Sequence, residues 1–236
     1  MNNPEPRRGP LVHRAVHHGA ALWLVAALQF VAVMVIVQLA WSGPPAYSLQ
    51  TNRISDLGNT ACGPWPTSTS SRVCSPWHDA FDGSVIALGL LVLLGAILAR
   101  TAFPRRGSAT LGLAMLAVSG LGEIGVGIAP ENLHPAFHVL CATVAFLLGS
   151  LALVVLSVAM FRDTRWDGYR VYAMISGLVG LAALGLLATS HYFGLGEGGM
   201  ERLVAAPSLL FLVVASIHLL RVPQYAPHTI VSSSGP

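Results

Sequence analysis

The sequence predicts an all-α fold, a polytopic membrane protein built as a six-transmembrane-helix bundle. Hydrophobic residues make up 54% of the 236 residues and charged residues only 10%, whereas soluble domains carry about 25% charged residues. Mean hydropathy is +0.66. Apolar stretches of about 20 residues can cross a bilayer as helices, because lipid offers backbone polar groups no partners. The six predicted spans lie near residues 19–41, 80–102, 108–129, 133–160, 168–190 and 203–220.

The segments outside the predicted membrane domain, residues 19–222, are polar or irregular. Residues 1–18 and 223–236 show no apolar periodicity, so both are expected to be flexible cytoplasmic segments. The first apolar stretch is too long for the core of a signal peptide, and no small-residue cleavage site follows it. It is therefore predicted to stay as the first helix.

The arginines predict the topology. The chain has no lysine, and ten of its 13 arginines fall before span one, between spans two and three, between spans four and five, or after span six. By the positive-inside rule both termini are predicted to be cytoplasmic, in a multi-pass protein of the cell membrane. The net charge of +3 then reflects topology and not nucleic-acid binding, and a basic cytoplasmic rim suits anionic lipid headgroups. The three exceptions are Arg53, Arg72 and Arg202.

The longest loop, about residues 42–78, is external in this topology and has the length of a functional lid. It contains Cys62 and Cys74, which the oxidising compartment predicts to be a disulfide. Two free thiols or two metal ligands are the alternatives.

Ionisable residues gather at the outer ends of the spans, which predicts the site. His78 and Asp82 are four residues apart at the start of span two and share a helix face. A charged group entering the membrane is costly without a partner or a water-filled cavity, so Asp82 is a catalytic candidate. Asp79, one turn nearer the helix start, is better explained as a cap.

Glu123 lies within a glycine-rich part of span three, about 9 Å below the outer mouth at 1.5 Å per residue. An isolated carboxyl group at that depth predicts a functional site. The alternative is a protonated, hydrogen-bonded core residue, in which case the neighbouring glycines serve close helix packing.

Four histidines raise the possibility of a metal site. His134 and His138 are four residues apart, the spacing by which one helix supplies two ligands. With His78 and His191 they form a candidate site for Zn or another divalent metal, with Asp82 nearby and Glu123 or Glu131 as general base. Histidines that face water or bond a carbonyl are the alternative. Haem ranks lower, because one helix face cannot supply both axial ligands.

Ser55 and Asp56, in the external loop, offer a further possibility. The serine hydroxyl is a candidate nucleophile and the aspartate a positioned acid, provided that a base lies within hydrogen-bond reach.

Three segments carry a family resemblance. Ile54-Ser55-Asp56-Leu57-Gly58, the run from Cys74 to Ser84, and Pro130-Glu131-Asn132 with His134 and His138 resemble the domain of unknown function 998 family. That resemblance implies a six-helix integral membrane protein of bacteria or archaea and carries no established activity. A looser similarity to membrane hydrolases such as alkaline ceramidases and adiponectin receptors provides only a prior, since those proteins have seven helices and a different motif order.

Three functions follow from these patterns. The first is an intramembrane enzyme that modifies or hydrolyses a lipid or lipid-linked substrate through the His/Asp/Glu cluster. The second is a proton- or ion-coupled transporter, which the scarcity of polar residues on the inner helix halves disfavours. The third is a membrane sensor or scaffold whose histidines titrate near pH 6.5.

Overall fold

The structure, a computed structural model, describes residues 10–42, 45–64, 72–161 and 163–221. Single 3-10 turns cover Ser55–Gly58, Arg100–Ala102 and Thr164–Trp166, and two short strands, β1 (Gly63–Pro64) and β2 (Arg72–Val73), pair antiparallel. The helices are α1 (Pro10–Leu39), α2 (His78–Ala99), α3 (Gly107–Ile128), α4 (Pro135–Met160), α5 (Tyr169–Ala188) and α6 (Gly196–Arg221).

The predicted six-helix membrane protein is confirmed, since all six helices in the described part are long and apolar enough to span a bilayer. Consecutive helices pack side by side, and α6 returns to α1 and closes the ring. The connections α1–α2, α3–α4 and α5–α6 meet at one end, which we call the loop face. Pro10 and Arg221 lie at the opposite face.

Two helices begin earlier than the sequence predicts. α1 begins at Pro10, so residues 10–18 are helical where a flexible segment is expected. Val16 explains this difference because it is fully buried in the core. α6 begins at Gly196 and not near residue 203. Residues 1–9 and the predicted flexible tail, 223–236, lie outside the described residues.

Glycines hold α3 tightly between its two neighbours. A Cβ on Gly120 would lie 2.6 Å from the carbonyl oxygen of Gly89 in α2. A Cβ on Gly122 would lie 2.7 Å from the backbone nitrogen of Ala145 in α4. Helices in a membrane associate where small residues let their backbones approach, so these glycines fix the position of the intervening segment that carries Glu123.

Aromatic side chains close the bundle at the opposite face. Phe103, in the α2–α3 connection, stacks on Trp166 of the α4–α5 connection with ring centroids 4.7 Å apart. The ring centroid of His218, in α6, lies 4.6 Å from that of Trp166 and 4.0 Å from that of Tyr169. Three separate parts of the chain are therefore joined at this end by buried rings.

At the loop face, residues 47–60 form what we call the lid segment, which lies over the ring of helices. Cys62 and Cys74 are joined by a disulfide just beyond it. Ser75 donates to the carbonyl oxygen of Leu57 at 2.6 Å. The strand pair and the disulfide thus anchor the end of the lid segment to the start of α2.

Candidate functional site

A cavity of about 80 Å³ lies inside the ring, beneath the lid segment. Its walls come from five of the helices, all but α5, and its roof from Ile54 and Ser55. The deep end is apolar, with Val92, Leu116 and Leu212. The polar side chains that line it are Ser55, Ser119, Glu123, His138, Glu201 and Ser208.

Glu123 is the most unusual member of this lining. It reaches the cavity from the tightly packed segment of α3 and is only half-buried, although it lies within a membrane span. Among the described residues it has no hydrogen-bond or ion-pair partner, and a second acidic residue, Glu201, lines the same cavity. A carboxyl group without a partner at membrane depth indicates a functional position.

His138 approaches the cavity from α4 with a fixed ring orientation. Its Nδ1 donates to the carbonyl oxygen of Ala129 at 2.8 Å. Because a carbonyl oxygen can only accept, Nδ1 carries a hydrogen in this contact, and Nε2 is the ring nitrogen that this bond does not use. The ring is buried, with 6% of its surface exposed. The contact therefore fixes the orientation of the His138 ring within the lining of the cavity.

Arg53 fastens the lid segment to two other connections of the loop face. Its Nη1 lies 2.7 Å from a carboxylate oxygen of Glu131, in the α3–α4 turn. It also pairs with Glu197, at the start of α6, through two of its nitrogens. Ser55 donates to the second oxygen of Glu131 at 3.0 Å. We call Arg53, Glu131 and Glu197 the latch.

Glu201 connects the latch region to the cavity. It lies one helical turn after Glu197, on the same face of α6, and accepts a hydrogen bond from the backbone nitrogen of Ile54. Only 8% of its surface is exposed. The position of the lid segment is thus coupled directly to a carboxylate of the cavity lining.

Arg202 holds the first half of the lid segment. Its Nη1 donates to the carbonyl oxygens of Asn52 at 2.9 Å and Leu49 at 3.2 Å, and its Nη2 donates to the hydroxyl of Tyr47. Gln50 adds a side-chain bond of 2.9 Å to the carbonyl of Gly194. The start of α6 therefore supports the lid segment by side-chain and backbone contacts.

Asp56 organises the interior of the lid segment. Its Oδ2 accepts from the side chain of Asn52 at 2.9 Å and from the backbone nitrogen of Arg53 at 3.1 Å. The side chain is fully buried, and its Oδ1 has no hydrogen-bond partner among the residues that the structure describes. Burial raises the pKa of Asp56 to about 6, against the lowering effect of the Asn52 bond.

The structure does not bring the four candidate metal ligands together. His138 is buried, while His134 and His191 are exposed. His78 lies 3.3 Å from Asp79 at the start of α2. Within the described part, no three His, Cys, Asp or Glu side chains form a group that could hold a metal.

The shared direction expected for His134 and His138 is wrong for a local reason. His134 precedes Pro135, and its backbone is not helical, with φ −135° and ψ 59°. A proline disfavours the helical conformation of the residue before it. The helix begins at Pro135, so His134 stays outside while His138 turns inward.

The other predicted site residues divide between the latch and the cavity. Glu123 and Ser55 line the cavity, Glu131 belongs to the latch, and Asp56 lies inside the lid segment. Asp82 is half-buried against the lid turn, where its carboxylate would overlap a Cβ on Gly58. Asp82 does not line the cavity.

The site contains four residues that the sequence did not predict there: Arg53, Arg202, Glu197 and Glu201. A signal for the two arginines was present, because both are exceptions to the positive-inside pattern. An arginine on the unfavoured side of a membrane protein indicates a partner in the fold. The side chain of the third exception, Arg72, lies outside the described part.

Comparison with known proteins identifies a family and no characterised relative. The model of the family described as "Protein of unknown function (DUF998)" matches residues 24–218. No curated protein matches the chain, and no solved structure does. The matched range includes the lid segment, the latch and every residue that lines the cavity.

Proposed function

We propose that this chain, which belongs to the DUF998 family of proteins of unknown function, is an intramembrane enzyme that modifies or hydrolyses a lipid or lipid-linked substrate. The observation that supports the proposal is the convergence of Glu123, His138 and Glu201, from three different helices, on one apolar cavity beneath a latched lid segment. Catalytic sites bring such groups together where water can be excluded.

The polarity of the cavity favours a lipid-class substrate. The carboxyl groups and Ser55 lie toward the loop face, while Leu116 and Leu212 lie at the deep end. A lipid has the same order, with a polar head at the membrane surface and an apolar body below it. The cavity volume of about 80 Å³ suits a small reacting group, since drug-sized ligands occupy pockets of about 300–1,000 Å³. Larger substrates require the lid segment to move.

The chemistry we assign to the site is acid–base catalysis. His138, with Nε2 free, serves as the general base, and Glu123 transfers a proton to or from the reacting group. Glu201 is a positioning residue, because it bonds the backbone of Ile54 in the lid segment. Ser55 is engaged by Glu131 while the lid segment is closed, so its hydroxyl becomes available only when the latch opens.

A transport function is less well supported than an enzyme. A proton or ion pathway needs polar groups through the membrane. Here the cavity ends on Val92, Leu116 and Leu212. In the described lining, the polar side chains are concentrated toward the loop face and the middle of the bundle.

We further propose that the protein lies in the cell membrane with the loop face outside. The described arginines of the opposite face support this orientation, since basic residues are retained in the cytoplasm. They are Arg14, Arg100, Arg105, Arg106, Arg165, Arg170 and Arg221.

Lipid turnover by the full-length protein tests the enzymatic proposal. The protein is reconstituted into liposomes of total membrane lipid, and each lipid species is quantified by mass spectrometry over time. Glu123→Gln and His138→Gln are each expected to slow conversion by about a hundredfold or more, the usual contribution of a general acid or base. Asp79→Asn is the matched control, since this carboxylate lies at the same membrane face but is exposed.

Two results would contradict the enzymatic proposal. One is that the amount of every lipid species in liposomes with the wild-type protein stays equal over time to the amount in liposomes with Glu123→Gln. The other is equal conversion by the wild type and both cavity variants. Thermal unfolding of each variant in detergent verifies that any loss of turnover occurs in folded protein.

A further inference from the structure

A second concave site lies at the opposite face, far from the latch. It is a groove of about 770 Å³ between the start of α1, the end of α2 and the start of α3. Apolar side chains such as Val12, Ile97 and Leu113 form its walls, and the groove extends along α3 to Ala117. At 1.5 Å per residue, the distance from Gly107 to Ala117 is about 15 Å. The groove therefore reaches well into the depth of the hydrocarbon.

Two arginines stand at the membrane-surface end of this groove. Arg100 and Arg105 both line it and both are exposed. Among the described residues neither has an ion-pair partner. Thr101, between them in the chain, adds a hydroxyl to the same end. The groove thus combines an apolar channel with a cationic, hydrogen-bonding mouth.

Within the described part of the chain, the acidic residues of the opposite face are already paired elsewhere. Oδ2 of Asp163 lies 2.6 Å from Nη2 of Arg165, and Oδ1 of Asp167 lies 3.3 Å from Nη1 of Arg170. Neither aspartate lines the groove. The positive charge of Arg100 and Arg105 is therefore not compensated from within the described fold, and an external anion is the complementary ligand.

We propose that this groove binds an anionic phospholipid of the bilayer, with its phosphate group between Arg100 and Arg105 and an acyl chain along α3. Basic pockets between transmembrane helices bind anionic headgroups in this way. A free phosphate ion would use the arginines but not the apolar channel. A phospholipid uses both parts at once. Its anionic headgroup matches the cationic mouth at the membrane surface, and its acyl chain matches the apolar channel below.

Native mass spectrometry of the full-length protein in detergent tests the proposal. Phosphatidylglycerol and phosphatidylcholine with identical acyl chains are titrated separately. The wild type is expected to bind phosphatidylglycerol about 25-fold more tightly, because each arginine near an anionic lipid contributes about fivefold. Arg100→Gln with Arg105→Gln should remove this preference, while Arg100→Lys with Arg105→Lys should retain most of it.

Two controls separate the headgroup from the chain. Arg106→Gln removes the same charge from the same connection, but Arg106 does not line the groove, so the preference should persist. Ala114→Phe fills the channel and should weaken both lipids. Equal affinity for the two lipids, a preference that survives the double glutamine variant, an equal loss in Arg106→Gln, or full displacement of lipid by millimolar inorganic phosphate would overturn the proposal.

Discussion

At the residue scale, the charges that hold the lid segment are those that depart from the overall charge pattern. Arg53 and Arg202 lie at the face where the chain otherwise carries few arginines. Each is held by partners inside the fold: Arg53 by Glu131 and Glu197, and Arg202 by backbone carbonyls and Tyr47. Burial also raises the pKa of the Tyr47 phenol, which keeps it a neutral hydrogen-bonding group.

Asp56 should make stability depend on pH. Its pKa is raised from 3.8 to about 6 in the folded protein, so the folded state binds the proton more tightly than the unfolded state does. The associated stabilisation is complete below about pH 4 and is lost as pH rises through about 6. It amounts to about 2–3 kcal/mol. Thermal unfolding in detergent, followed by tryptophan fluorescence from pH 4.5 to 7.5, measures it.

Asp56→Asn is the matching control, because an amide approximates the neutral carboxyl group. The variant should be more stable than the wild type at pH 7.5 and nearly equal to it at pH 4.5. A wild type and variant whose stabilities change in parallel across this range would show that Asp56 does not titrate as described.

At the element scale, the sequence was most informative where periodicity and composition determine structure. The spans of α2 to α5 agree with the observed helices to within about three residues. The glycine-rich segment of α3 was expected either to place a functional carboxyl group or to allow close packing. The close packing is observed, and Glu123 lines the cavity, while its functional role stays a prediction. Local sequence patterns predict helices because the backbone hydrogen bonds of a helix form within one segment of the chain.

The latch could not be predicted in the same way. One of its two ion pairs joins Arg53 to Glu197, which lies 144 positions later in the chain. No local sequence pattern predicts a contact over that separation. The histidine pair shows the converse failure. Its spacing suggested one shared helix face, but α4 begins at Pro135, two residues after the predicted start, and leaves His134 outside the helix.

Removing the latch should release the lid segment. Arg53→Gln removes the cation that pairs with the buried carboxylates of Glu131 and Glu197. Truncating one member of such a pair costs about 2–5 kcal/mol. Hydrogen–deuterium exchange of residues 50–58 should therefore accelerate strongly, while exchange in α3 stays slow. Arg106→Gln, at the opposite face, is the control for loss of an arginine. Unchanged exchange of the lid segment in Arg53→Gln would contradict the claim that Arg53 holds it in place.

Gly198 allows the lid segment to lie directly on α6. A Cβ at this position would overlap the carbonyl oxygen of Asn52. Gly198→Ala should therefore displace the lid segment and increase its exchange, although alanine favours helices by about 1 kcal/mol over glycine. Gly185→Ala provides the comparison, since a Cβ there meets nothing within 4 Å. Equal lid exchange in the two variants would argue against close approach at Gly198.

At the scale of the whole molecule, six spans bring both ends of the described chain to one face. Single added cysteines test which face is outside. Leu195→Cys, in the α5–α6 turn, should react with a membrane-impermeant maleimide on intact cells. Gly107→Cys, at the start of α3, should react only after permeabilisation, because the positive-inside rule places it in the cytoplasm. The reverse labelling pattern would invert the proposed orientation.

The latch also has a consequence for biosynthesis. Arg53 emerges from the ribosome with the first loop, whereas Glu197, Glu201 and Arg202 arrive only with the last helix. Until α6 is inserted, the first loop lacks most of its partners, and Ser55 and Glu123 are without their finished surroundings. The site is therefore complete only after α6 has been inserted. A chain that stalls before α6 lacks Glu201 and the rest of the cavity wall that α6 supplies.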